Sequence, residues 1–308
     1  MWAMLLCAAL LLVAEPAHAW GPITHLTHGA EVLERVTILG MGLQRLLRRH
    51  RLEFLYGCVG ADITQAKKYT RAQQAHCHSW SVGWSILERA ENDRERAFAY
   101  GYLTHLVGDV FSHNHYVPTQ LIVSFRARAL RHIYWEARFD TMQPDERRAL
   151  VREIRHRAFP ECDALVERVV SRTLLPFAAD KRIFDYFIAI HDLDQWHGII
   201  RQLTSQSRYR LPPETVAEYN GVVHANAVDM LSRGRKSDCQ SADPTGAEAL
   251  ALAHRTRETL RLLDRQGKVT PKLRARIAAL ALDRHLDLPC CQPLEEDPAP
   301  LTAVSPKP

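Results

Sequence analysis

What this chain lacks narrows its class first. It scarcely sustains the apolar–polar alternation of half-buried strands, which argues against a sheet-based fold. It has no Cys-x-x-Cys pair, which removes the structural zinc ribbon as a reading. Its basic residues are scattered along helices rather than gathered into one block, so a net charge of +5 implies no dedicated nucleic-acid module. There is no internal repeat to build a solenoid. Its N-terminal apolar run, about ten residues ending at Ala14, is too short to span a bilayer.

That run reads as a leader. An apolar core, Ala8 to Ala14, precedes Ala17-His18-Ala19, the small-x-small pattern of a secretory signal peptide cut after Ala19. The mature chain is then secreted or periplasmic, with no transmembrane segment left after processing. Cleavage would leave Trp20 with a free α-amine, which together with its neighbouring carbonyl can chelate a metal, and His25 follows five residues on. Six cysteines survive the cut: Cys58, Cys77, Cys162, Cys239, Cys290 and Cys291. In an exported protein an even count favours disulfides. Cys77, flanked by His76 and His78, carries metal ligation as a competing reading.

Apolar residues recur at three- and four-residue spacing over 30–49, 82–90, 97–110, 126–142, 163–174, 181–190, 213–231, 246–265 and 271–285. Pro144, followed by Asp145 and Glu146, suits the first turn of another helix. Segments rich in Gly, Pro, Ser or Asn mark loops at 57–75, 112–118, 205–213 and 233–244. The expectation is one all-α bundle domain over 20–288 with a Pro-rich, loosely tied tail over 289–308.

Histidine is concentrated upstream: nine of the fifteen that follow Ala19 fall between His25 and His132. In Gly101-Tyr102-Leu103-Thr104-His105-Leu106-Val107-Gly108-Asp109, a helix puts His105 and Asp109 on one face, within reach of one cation. The segment is otherwise apolar, and a carboxylate buried there is costly unless a cation or a donor satisfies it. A buried His–Asp hydrogen bond is the simpler reading of the pair alone. It loses ground to the neighbours: His113 and His115 follow within two turns, and His132 and Glu136 repeat the i, i+4 step on the next helix. Upstream, Asp62 sits in the apolar stretch Gly57-Cys58-Val59-Gly60-Ala61-Asp62, and His76 and His78 add two imidazoles. Nitrogen and carboxylate ligands favour zinc over calcium or magnesium.

The ordered set Trp20, His25, Gly57-x3-Ala61-Asp62, His76 or His78, His105-x3-Asp109-x5-His115 and His132-x3-Glu136 resembles the bacterial zinc-dependent phospholipase C family, over about residues 20–140. The resemblance implies an all-α bundle holding about three zinc ions. One would be held by the Trp20 amine and carbonyl with His25, sharing Asp109 with a second. The second would take Asp62, His78 (preferred over His76), His105 and Asp109, and the third His115, His132 and Glu136. His28, His50 and His113 match no ligand position and are expected at the surface or behind the ligands.

The implied reaction is hydrolysis of a phospholipid, at a membrane or micelle surface, to diacylglycerol and a phosphorylated head group. Asp109 would be the shared carboxylate, and Asp62 would orient or deprotonate the attacking water. A related family of three-zinc single-strand nucleases shares the scaffold and the N-terminal Trp. The step from Trp20 to His25 looks like theirs, but they end the site in His-x3-Asp where this chain has Glu136. Trp80, Trp84 and Trp135 are either a base platform or core. A non-catalytic zinc-binding protein is the third reading. Residues 145–288 read as helices, so the β-sandwich of toxin-like members is not expected, and a monomer is.

Overall fold

The computed structural model describes residues 20–64, 76–127, 132–170 and 175–283; the segments expected to be leader and tail, with Cys290 and Cys291, lie outside them. Among the described residues there are helices and turns but no strand, the all-α architecture expected. No described helix is long and apolar enough to cross a membrane.

The molecule is organised around one long helix. In chain order the first helices are α1 (Pro22–Glu34), α2 (Met41–Arg49), α3 (Arg51–Gly57), α4 (Trp80–Glu88) and α5 (Asp93–Phe111). The start of α5 is set by Asn92, whose side chain accepts the Glu95 amide at 3.0 Å while Glu95 reaches back to the Glu91 amide at 2.7 Å, a reciprocal cap. From Gly101 to Phe111 every residue of α5 is buried, because α1, α3, α4 and α12 (Pro213–Arg233) pack around it. A helix covered on all sides has no polar face to offer, so His105 and Asp109 stand in an apolar column.

The closest crossing, α3 against α5, explains two glycines. A Cβ on Gly101 would overlap the Phe54 carbonyl oxygen, and one on Gly57 the Phe98 carbonyl oxygen. Only hydrogen fits at either position. The close approach lets the Cys58 carbonyl, at the end of α3, reach the His105 ring.

The remaining helices are α6 (Val117–Val123), α7 (His132–Asp140), α8 (Arg148–Arg155), α9 (Pro160–Val169), α10 (Phe177–His191), α11 (Asp194–Ser205), α13 (Ala247–Arg265) and α14 (Pro271–Asp283). Three sequence expectations need correction. The helix expected over 30–49 is two: α1 starts at Pro22, whose fixed φ suits the first helical position, and extended backbone at Leu39 and Gly40 separates it from α2. The loop expected over 112–118 is instead a π-turn, Ser112–Tyr116, leading into α6. Pro118 has no N–H to continue the ladder; the Asn114 side chain takes up the Val110 carbonyl, and the Val117 amide reaches back to Ser112. The disulfide expectation is not met among the described residues: Cys58, Cys77, Cys162 and Cys239 are buried, and no disulfide joins them to one another. Helix α11 was not anticipated.

The α3–α5 crossing yields a prediction. Gly101→Ala should lower the unfolding free energy by at least about 2 kcal/mol, since a methyl group there meets backbone rather than a movable side chain. Urea denaturation measures it; a loss under about 0.5 kcal/mol, the range of ordinary surface changes, would mean the crossing relaxes freely.

Candidate metal centre

Four elements bring one cluster together. The first turn of α1 supplies His25, α5 supplies His105 and Asp109, the short 3-10 turn Gly60–Ile63 supplies Asp62, and the turn before α4 supplies His78. All five side chains are buried. His105 is fixed first: its Nδ1 lies 2.9 Å from the Cys58 carbonyl oxygen, turning Nε2 inward. That Nε2 is 3.1 Å from His78 Nε2 and 3.2 Å from Asp109 Oδ2. His78 Nε2 is in turn 3.2 Å from Asp109 Oδ2 and 3.3 Å from Asp62 Oδ1. On the other side of the same carboxylate, His25 Nε2 stands 3.5 Å from Asp109 Oδ1, its ring stacked on His105 at 3.9 Å. Gly108 leaves room for it, since a Cβ there would press on the His25 ring at 3.2 Å.

Asp109 therefore faces His25 with one oxygen and His78 and His105 with the other, the disposition of a carboxylate shared between two cation positions. Of the two candidate imidazoles upstream, His78 points at Asp62 and Asp109, while His76 Nδ1 accepts the His78 amide at 3.1 Å.

Neither oxygen of Asp109 and neither ring nitrogen of His25 makes an aligned hydrogen bond. Burial, then the neighbouring His105, pushes the His25 pKa well below its ordinary value, so its ring is neutral with a lone pair to donate. Burial is also the largest influence on His105 and opposes its charge, but the Asp109 and Asp62 carboxylates raise its pKa on balance. Buried carboxylate oxygens and ring nitrogens crowded together without aligned hydrogen bonds are what a cation relieves, and the imidazole–carboxylate set fits zinc.

A second group lies one turn further along. His132 and Glu136 of α7 approach to 2.5 Å, and His113 Nε2 lies 3.7 Å from the same Glu136 oxygen. Burial pushes the Glu136 carboxyl up to about 8, against the pull of His113. His113 Nδ1 is 2.8 Å from the Pro244 carbonyl oxygen, which directs Nε2 at Glu136. Gly246, at φ +55°, comes so close that a Cβ would stand 2.5 Å from His113 Cβ. The sequence reading gave this position to His115. The structure gathers His113, His132 and Glu136, while His115 packs beside Phe111. The signal for His113 was present: it follows Asp109 by the same four residues that separate His105 from Asp109, and the π-turn keeps it on that side.

Sequence reasoning also missed Asp140, one turn after Glu136 on α7. Its buried Oδ1 accepts the Thr24 amide at 2.7 Å and the Thr24 hydroxyl at 2.9 Å, capping α1 from another helix. One helix thus supplies two members of the second group and holds the start of the helix that carries His25. His28, expected at the surface or behind the ligands, is fully buried and 3.2 Å from Asn220 Oδ1, its pKa lowered by burial to about 3. His50 is half-buried. Trp20 is fully buried, stacked on Phe139 at 4.6 Å amid Tyr116, Tyr219 and His28. Trp84 and Trp135 are core, and the Trp80 indole donates to the Ala242 carbonyl.

The family model for zinc-dependent phospholipase C matches residues 24–192, more than half of the chain, and the protein belongs to that family. The match contains every residue of both groups; Trp20, Pro244 and Gly246 fall outside it. Comparison with curated proteins and with solved structures gives no match.

The placement of His113 is open to direct test. His113→Ala should lower zinc content, read by elemental analysis, by about one ion per chain, while His115→Ala leaves it unchanged. The opposite pattern would return the ligand to His115.

Proposed function

We propose that the mature protein is an exported phospholipase C that hydrolyses a glycerophospholipid to diacylglycerol and a phosphorylated head group. The observation that carries this reading is the two-sided exposure of Asp109 to imidazoles, with both of its oxygens lacking aligned donors. In this reading about three zinc ions bind. His25 and Asp109 hold one, joined by the Trp20 amine and carbonyl once cleavage after Ala19 frees them. Asp62, His78, His105 and Asp109 hold another, and His113, His132 and Glu136 the third. Bound there, zinc supplies Lewis-acid polarisation of the phosphate and acidifies water near neutrality.

The chain's own groups do the rest. Asp109, presenting one oxygen to each side, fixes the spacing of the two inner cation positions. Asp62, at the rim of the inner cluster, orients the nucleophilic water and accepts its proton. The Cys58 and Pro244 carbonyls lock the tautomers of His105 and His113, so the ligand nitrogens do not reorganise during turnover. The buried column around α5 keeps the local dielectric low, which strengthens each charge interaction with a phosphodiester.

The test uses the zinc-loaded mature protein on a chromogenic phosphocholine ester and on single-stranded nucleic acid. The expected result is ester hydrolysis, reduced on the order of a thousandfold or more in Asp109→Asn. Hydrolysis of nucleic acid alone would make the protein a nuclease, and zinc binding without either activity a non-catalytic member of the family. The tryptophans weigh against the nuclease: Trp84 and Trp135 are buried and Trp80 is held by a backbone carbonyl, so none is a free platform for a base.

A further inference from the structure

The turn after α1 and the helix that follows it differ from the rest of the surface. From Arg35 to His50 there are four arginines and no aspartate or glutamate. Six surface arginines elsewhere, Arg94, Arg96, Arg147, Arg155, Arg168 and Arg235, each meet a carboxylate, while others such as Arg208 and Arg210 stand singly. Arg51, just past the segment, is held by Glu153 at 2.9 Å. Among the described residues, Arg45, Arg48 and Arg49 of α2 are joined to no carboxylate.

The same segment lifts two apolar side chains into solvent. Ile38 is 61 % and Met41 78 % exposed, and Met41 is the most exposed large hydrophobic residue among those described. They are held there rather than loose, because Val36, Leu39 and Leu47 are buried beneath them and pin the turn to the core. On α2, Met41, Arg45, Arg48 and Arg49 recur at the spacing of one helical face, with Leu47 on the other. Gly40 and Gly42 beside Met41 have open space where a Cβ would stand.

We propose that residues 35–50 dock the enzyme on an anionic phospholipid surface, with Ile38 and Met41 entering between the head groups and Arg45, Arg48 and Arg49 meeting lipid phosphates. Unpaired cations around a protruding apolar pair are complementary to a negatively charged interface with an oily interior. A nucleic acid would use the arginines but not the apolar tips, and the segment has no Phe, Tyr or Trp for a base to stack on. The position suits the proposed chemistry: α1 runs from His25, in the metal cluster, to this segment, on the order of 14 Å along its axis between His25 and Glu34.

The inference rests on the phospholipid reading but is tested without turnover. The full mature chain is co-sedimented with vesicles of phosphatidylcholine alone and with vesicles containing phosphatidylglycerol. Wild type should bind the anionic vesicles, more weakly at high salt. R45Q/R48Q/R49Q should weaken that binding on the order of a hundredfold, about fivefold per charge. I38S/M41S should abolish the fraction that survives high salt. Both variants alter exposed side chains and should keep the wild-type melting temperature and the wild-type rate on a soluble short-chain ester.

Binding that ignores both variants, or no binding to anionic vesicles, overturns the proposal. So does binding to single-stranded nucleic acid that is lost in the arginine variant and unchanged in I38S/M41S. Failure of the phospholipase reading looks different: vesicle binding as described, with no ester hydrolysis by wild type.

Discussion

A carboxylate buried among imidazoles is the constraint on which the rest of this structure depends. Asp109 has no exposed surface, its oxygens find no aligned donor, and the nearest groups are ring nitrogens 3.2 to 3.5 Å away. Left without a cation, such a site costs several kcal/mol of lost solvation. The chain tolerates it because the surroundings over-determine it. The glycine crossing of α3 on α5 fixes the backbone, the Cys58 carbonyl fixes the His105 ring, and Gly108 leaves a space the size of His25. The hydrolysis proposed here would use the same rigid arrangement, with Asp109, His25, His78 and His105 free to hold a metal rather than one another.

The two groups are mechanically joined. Helix α7 presents Glu136 to His113 and, one turn later, Asp140 to the amide end of α1, so a shift of α7 moves both Glu136 and the helix that carries His25. A further tie comes from outside the family match. The segment around Pro244 to Gly246 presses on His113 and holds its tautomer, and the Asp243 carbonyl accepts from the Asn114 side chain at 2.8 Å. The helical extension thus completes the site, a role its sequence does not announce.

Much of the site was readable because its chemistry is local. His105 with Asp109, and His132 with Glu136, are i, i+4 pairs that any helix would align, and their apolar surroundings made buried charge conspicuous. The helices around them followed from periodicity in the same way. What escaped were relations between distant segments. That His113 rather than His115 faces Glu136 depends on a π-turn that ends two residues before Pro118, and Asp140 gains its meaning only from Thr24, 116 residues away. The disulfide expectation rested on cysteine number and compartment, whereas each described cysteine is placed as a small buried side chain; Cys58, for example, sits against the α-carbon face of Gly29. The break between α1 and α2 was masked by apolar residues that serve two helices in succession.

The most direct test of the account is the unfolding free energy of the mature protein with and without zinc, in wild type and in Asp109→Asn. The account predicts that chelation destabilises wild type and that zinc restores it, by an amount that grows with zinc concentration as mass action requires. It also predicts that metal-free Asp109→Asn is at least as stable as metal-free wild type and gains far less from zinc. Wild type unmoved by chelation, or Asp109→Asn stabilised by zinc as much as wild type, would contradict the claim that a cation balances this carboxylate.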